Sequence, residues 1–510
     1  MAVARQRTVT TFASYKTGPA GGLHSHGCES HRPGGQVSAA GRALIVSLSL
    51  ACAAAGQRGP SGVPSYGVYY RLTVRVDPAR GTIQGEAWIA TAPAAIVHPG
   101  RLFAAPTLVI DSILSAGVSA TFSRRGDTVT VGPAGPGRRS SALRVFYHGK
   151  ESAPALSMEP HAGAPAASTY GLPYSARAWW PAPGSTLAKA DSADVIVTVP
   201  AGLTAVSNGR LVSRSGAQDG WVTYHWATRH PIYPDVVSIA VGAYIELDDS
   251  ADADGRRIPL RFYVFADDTA KARLDFAPVP QILDFLSELL GPYPFADEKY
   301  AVAEFTTQSF REHQTIPSLG PRFLTGDRRN EWILAHELAH QWFGNSLSVR
   351  RWSDAWLNEG LATYAAMLWK EHSAGRAGYR DDIRAAAARQ FTGTLTVTDS
   401  SDLDHMFGAT TFFKGALMLD ALRCRLGDDR FFAALKAYVS EHAYGLVSAA
   451  DFERAMERGY GQPLNDFFER WLTREGLPSP LGADAPSGSA RDTPDTTSMS
   501  RATPGLCPAG

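Results

Sequence analysis

The sequence predicts an α+β chain of several domains, and three observations predict it. Apolar and polar residues alternate with period two in short runs between residues 63 and 247, and apolar residues recur at helical spacing after residue 372. Between these regions stands His336-Glu337-Leu338-Ala339-His340, followed by Glu359. At 510 residues the chain exceeds what one hydrophobic core holds, so two to four domains are expected.

Residues 1–62 read as a leader. Gly, Ser, His and Arg dominate its first part, and residues 41–56 then present a basic residue, a short apolar run and small residues, the order of an export signal. The run is shorter than the ~20 residues of a membrane span. Two outcomes stay open: cleavage after an Ala-x-Ala pattern, or lipidation of Cys52, for which Ser49 stands where a lipoprotein signal usually carries Leu. Either places the protein outside the cytoplasm, as a periplasmic, secreted or lipid-anchored surface protein.

Residues 63–247 form the expected antiparallel β domain. Runs at 70–76, 107–110, 128–131, 143–147, 194–200, 221–226 and 236–245 alternate between Gly, Pro and Asp turns. Trp179 and Trp180 lie within this domain, where aromatic residues more often fill a core than form a binding platform.

A catalytic domain is expected over 248–372, with a strand at 258–264, a helix at 277–290 ended by Gly291-Pro292, and a strand at 300–305. The pattern at 332–342 predicts a helix, with Asp327 or Asn330 as cap and Gly344 as its stop. Histidines four apart lie on one face of such a helix and can reach one metal ion, while Glu337 between them can take a proton from a metal-activated water. A second helix beginning near Asn358 carries Glu359 in its first turn. His336, His340 and Glu359 make a His₂Glu set for one zinc ion, with the fourth position left open. Zinc acidifies water, and the carboxylate of Glu337 serves as general base.

These residues carry a resemblance. His336-Glu337-Leu338-Ala339-His340-Gln341-Trp342-Phe343-Gly344-Asn345, followed by Trp356-Leu357-Asn358-Glu359-Gly360, resembles the gluzincin zinc aminopeptidases, the family of membrane alanyl aminopeptidase and leukotriene hydrolase. The resemblance implies a thermolysin-like catalytic domain, one zinc ion and peptide substrates. It also implies a substrate-binding role for Glu312, at the glutamate of the family's Gly-x-Met-Glu-Asn motif, which holds the substrate's α-amino group. Here the motif is Ser309-Phe310-Arg311-Glu312-His313, so the carboxylate is kept and the glycine lost. A second departure is Phe412-Phe413-Lys414-Gly415, where the family carries an oxyanion-binding tyrosine at the first position. Tyr364, Tyr379, His405 and His313 are the candidate replacement donors.

Residues 373–477 read as a helical domain, with amphipathic patterns at 410–423, 428–439, 449–459 and 464–472. From 478 to 510 Pro, Gly, Ser, Thr and Asp dominate, and the tail is expected to be disordered. Cys28, Cys52, Cys424 and Cys507 have no paired spacing, so no disulfide framework is expected and Cys424 reads as an ordinary helix residue. Lys plus Arg and Asp plus Glu are both 49, a balance that speaks against nucleic acid as a general partner.

The expected function is zinc-dependent peptide hydrolysis, as an aminopeptidase. The two departures leave two alternatives: a catalytically weakened zinc protein that binds peptides, and an endopeptidase or dipeptidase variant.

Overall fold

A computed structural model describes residues 64–478 except 93–99, 133–141, 172, 185–188 and 254. The expected leader and export signal, with Cys52, and the tail from 479 onward lie outside the described residues.

The first domain is built on an eight-stranded sheet. Alternation sets its faces: in Val68–Asp77, Tyr70, Leu72, Val74 and Val76 are buried while Arg71, Thr73 and Arg75 are exposed. This strand pairs antiparallel with Thr82–Thr91 on one side. On its other side it runs parallel to Ser192–Pro200, so the sheet is not purely antiparallel as the alternation suggested. Trp180 is fully buried against Tyr70, their ring centroids 5.2 Å apart, which gives the Trp pair the core role expected of it. The 236–245 run is not one strand: Pro234–Val236 is a 3₁₀ turn, and Ile239–Gly242 follows as a strand of a second, four-stranded sheet.

The catalytic region has a five-stranded sheet in the order Ile245–Ala253, Arg256–Val264, Tyr300–Glu304, Ser318–Leu319 and Phe310–Arg311. Ile245–Ala253 therefore belongs to this sheet, and the expected break at residue 247 falls inside it. Phe310–Arg311 is the outer strand, paired on one side only, antiparallel to Ser318–Leu319. Helix Val279–Leu290 packs on Ile245–Ala253 of this sheet and on helix Glu331–Ala339, which packs in turn against helix Trp356–Ala387. The last is interrupted at Gly375.

The helix Glu331–Ala339 differs from expectation at both ends. Asn330 occupies the cap position without capping, because its Nδ2 donates to the Phe323 carbonyl instead. Asp327 is turned to Thr325 and Arg329. The helix ends at Ala339, before Gly344.

Helices Gly415–Leu426, Asp428–Glu441, Ala449–Tyr460 and Asn465–Thr473 make up the C-terminal region. The pattern read as one helix from 410 starts with a five-residue π turn, Thr410–Lys414. Where this element meets the Glu359 helix, Gly360 and Gly415 touch backbone to backbone: a Cβ on Gly415 would lie 2.9 Å from the Gly360 Cα. That contact admits no side chain and sets Phe412 beside His336. Cys424, expected to be an ordinary helix residue, is disulfide-bonded. Among the described residues no helix is long and apolar enough to cross a membrane.

Candidate zinc site and its family

The helix Glu331–Ala339 buries every residue from Ile333 to Ala339 and carries His336 and Glu337, and His340 follows directly as its C-cap. The two Nε2 atoms are 3.0 Å apart and the rings are perpendicular. Glu359, in the first turn of Trp356–Ala387, brings its Oε2 to 3.5 Å from His336 Nε2 and 3.3 Å from His340 Nε2. The three donors lie within 4.8 Å of one another and all three residues are buried.

Neighbouring groups aim the imidazoles. His340 Nδ1 lies 3.0 Å from the Phe343 carbonyl, an acceptor, so Nδ1 carries the proton and Nε2 keeps its lone pair for a metal. His336 Nδ1 faces the Thr363 hydroxyl at 3.4 Å. Phe412 stacks on the His336 ring and Phe310 meets it edge-on.

The electrostatics call for a cation. Glu337 is buried, and both its carboxylate oxygens lack a hydrogen-bond partner. Burial raises its pKa well above the usual carboxylate range, and the charges of Glu312 and Glu359 add to that. Burial would likewise suppress a charge on His340, but Glu359, Glu312 and Glu337 overrule it and push the imidazole up to about 10. His336 is held down to about 4, by burial and then by His340. Three carboxylates, Glu312, Glu337 and Glu359, surround one pair of imidazoles in a buried site, an arrangement that a bound cation would balance. Two imidazole nitrogens and one carboxylate oxygen, with orphaned Glu337 oxygens beside them, are the donor set that zinc takes in a catalytic site.

Glu312 follows the outer strand Phe310–Arg311 and is mostly buried, with its backbone carbonyl held by Asn345 Nδ2 at 2.7 Å. Its carboxylate makes no ion pair among the described residues, and burial followed by the charge of Glu359 raises its pKa. Position alone suggested this residue, and the fold brings it within electrostatic reach of Glu337, His340 and Glu359. Its neighbours in the altered motif have structural duties. The Arg311 guanidinium lies over the Tyr170 ring and donates to the Tyr170 carbonyl. His313 is buried, with Nδ1 at 3.0 Å from Ser318 Oγ. Gly171 presses against it so closely that a Cβ there would sit 2.3 Å from His313 Nε2.

The other candidate donors are also engaged elsewhere. Tyr364 and Tyr379 bond each other, and Tyr379 donates to Asp420. His405 Nε2 is bonded to the Thr394 carbonyl. A tyrosine that sequence reasoning passed over is Tyr233: burial raises its hydroxyl pKa, as do the charges of Glu312, Asp235 and Glu359. Thr363 and Asn345 were passed over as well. The Gly344-Asn345 pair, which begins four residues after His340, was the one signal that could have drawn attention to Asn345.

Residues 318–471 match the model of the Peptidase family M1 domain. Over this stretch the chain is similar to M1 peptidases. Among curated proteins it is 26% identical to Aminopeptidase M1 of Arabidopsis thaliana over 304 residues, 56% of this chain and 34% of that one. It is 31% identical to Probable aminopeptidase 2 of Sulfurisphaera tokodaii over 156 residues, 29% of this chain and 20% of that one. The chain thus spans about a third or less of the length of these relatives. Among solved structures, an M1 zinc metallopeptidase from Deinococcus radiodurans superposes with a TM-score of 0.69 at 25% identity, covering 81% of this chain and 95% of that one. Yeast LTA4 hydrolase, at 18% identity and a TM-score of 0.67 over 84% of this chain and 72% of that one, shares the fold. The motif that suggested gluzincin aminopeptidases in the sequence and the M1 match meet on the same residues.

Proposed function

We propose that the protein is a zinc metallopeptidase that removes N-terminal residues from peptides. The observation that carries this reading is the buried His336, His340 and Glu359 triad with the Glu337 carboxylate beside it, neither of whose oxygens accepts a hydrogen bond. A structural zinc site would fill its fourth position and have no use for a base. When bound, zinc supplies Lewis acidity, acidifying a water and polarising the scissile carbonyl. Glu337 takes the proton of the attacking water on its carboxylate and passes it to the leaving amine. Glu312 binds the substrate α-ammonium and so sets the cut one residue from the N-terminus. The outer strand Phe310–Arg311 gives an extended peptide a sheet edge to lie along.

The test is hydrolysis of aminoacyl arylamides and short peptides by zinc-loaded protein, with Glu337→Gln alongside. Turnover in the wild type that disappears in Glu337→Gln, with zinc still bound, supports the reading. Zinc binding without turnover on any substrate overturns it in favour of the second reading, a peptide-binding zinc protein, which Phe412 at the oxyanion position favours.

Export through the residue 41–56 signal belongs to the same proposal, with the protein periplasmic, secreted or anchored by lipid at Cys52. N-terminal sequencing and mass measurement of the mature protein check it, and a mature chain that keeps the signal would refute it.

A further inference from the structure

Lys189 is a fully buried lysine outside the site described above. It belongs to the first domain, just ahead of the strand Ser192–Pro200, yet its ammonium reaches into the turn that follows the histidine helix. Nζ donates to the Asn345 carbonyl at 2.9 Å, to the Ser346 carbonyl at 2.8 Å and to Ser348 Oγ at 3.0 Å. Three N–H donors meet three oxygens. Burial drags the pKa of Lys189 down to about 7, and the three oxygens around Nζ favour its charged form.

This turn touches both ends of the site. On one side, the Phe343 carbonyl accepts from His340 Nδ1, and Asn345 N–H donates to the His340 carbonyl at 3.1 Å. On the other, Asn345 Nδ2 donates to the Glu312 carbonyl. Ser348 Oγ, itself an acceptor for Lys189, donates to the Gly344 carbonyl at 2.7 Å and closes the turn.

We propose that Lys189 is a positioning residue, a cation from the first domain that clamps the 344–348 turn and through it sets the His340 imidazole for zinc and Glu312 for the substrate amine. The clamp makes docking of the first domain a condition for an ordered site. The Glu312 half rests on the aminopeptidase reading, and the His340 half needs only zinc.

Lys189→Gln keeps two donors and loses the third together with the charge. Release of zinc from the full-length holoprotein to a coloured chelator, far below the melting temperature, is expected to be about 10-fold faster or more, the scale of other outer contacts to metal ligands. KM for free-amine peptides should rise more than kcat falls. Asn345→Ala leaves the lysine and the turn backbone in place and cuts only the link to Glu312, so KM should rise about 10-fold while zinc release stays at the wild-type rate. If Lys189→Gln does not fold, Ser348→Ala, which removes one of the three oxygens and the bond that closes the turn, carries the test: faster zinc release is expected, and release at the wild-type rate overturns the clamp. Wild-type zinc release in a folded Lys189→Gln protein, or wild-type KM in Asn345→Ala, would overturn the proposal. Zinc release is read without catalysis, so a protein that cleaves nothing still answers for the His340 half.

Discussion

The Phe412 ring lies nearly parallel to the His336 imidazole, with centroids 5.6 Å apart and planes 16° apart. It buttresses a proposed metal ligand from the position where the gluzincin aminopeptidases that the motif resembles carry a tyrosine. A missing oxyanion donor costs ~10²–10³ in rate, roughly 3–4 kcal/mol of transition-state stabilisation. Phe412→Tyr is therefore expected to raise kcat by up to about 100-fold with KM nearly unchanged, because the hydroxyl would act in the transition state alone. Steady-state kinetics on one arylamide check this. An unchanged kcat would mean that another group already serves the oxyanion.

Glu312 is argued to choose the cleavage position. Hydrogen bonds to charged groups contribute about 1.5–3 kcal/mol, so Glu312→Ala should lower kcat/KM for free-amine peptides about 10–100-fold. N-acetylated peptides, which lack the ammonium, should be poor substrates of the wild type and no worse for the variant. If the wild type cut blocked and free peptides equally well, the site would be an endopeptidase site and Glu312 would have a different role.

Zinc removal should destabilise the fold as well as stop turnover. Glu312, Glu337 and Glu359 are buried together, and without a cation their charges face one another. A ligand that binds only the folded state at about 1,000 times its Kd adds about 4 kcal/mol. Chelator should thus lower Tm, and equimolar zinc should restore it. Glu359→Gln replaces a charged ligand with a neutral one and should weaken zinc binding by more than the ~100-fold that an outer contact commands. Equal Tm values for the zinc-loaded and chelated protein would remove this coupling.

How far the sequence could be read depended on the range of the interaction. The His336 to His340 spacing is a local property of a helix, and it puts two ligands on one face with no help from the rest of the chain. The alternation in Val68–Asp77 is likewise local, but its parallel pairing with Ser192–Pro200 joins segments far apart in the chain, and no run of residues encodes a partner. Lys189 stands in Leu187-Ala188-Lys189-Ala190-Asp191, a context that reads as an ordinary solvated lysine; only tertiary packing makes it a buried clamp. Asn330 shows the opposite error. Local preference nominated it as a cap, and the nearby Phe323 carbonyl took its side chain instead. The π turn at Thr410–Lys414 follows the same logic, since the backbone contact of Gly360 with Gly415 is invisible until the helices meet.

The helical region carries a pH-sensitive group away from the zinc. Asp420 is buried, its Oδ1 accepts from Tyr379 and its Oδ2 has no partner. Burial pushes its pKa from 3.8 to about 6, against the opposing influence of Tyr379 and Arg423. A carboxyl whose folded pKa is raised holds a proton that the unfolded chain has already released between those two values. Its contribution to stability is present below the unfolded pKa and is lost as pH rises through the folded one. The shift of about two units corresponds to on the order of 3 kcal/mol at most, with each unit equal to about 1.4 kcal/mol. Asp420→Asn keeps an acceptor for Tyr379, gives the orphaned position a donor and has no charge to bury. The variant should match the wild type near pH 4 and exceed it in Tm by several degrees at pH 7.5, where the wild-type carboxylate is ionised. Melting both proteins at the two pH values checks this, and a Tm difference that does not change with pH would show that Asp420 ionises in the folded protein as it does in the unfolded chain.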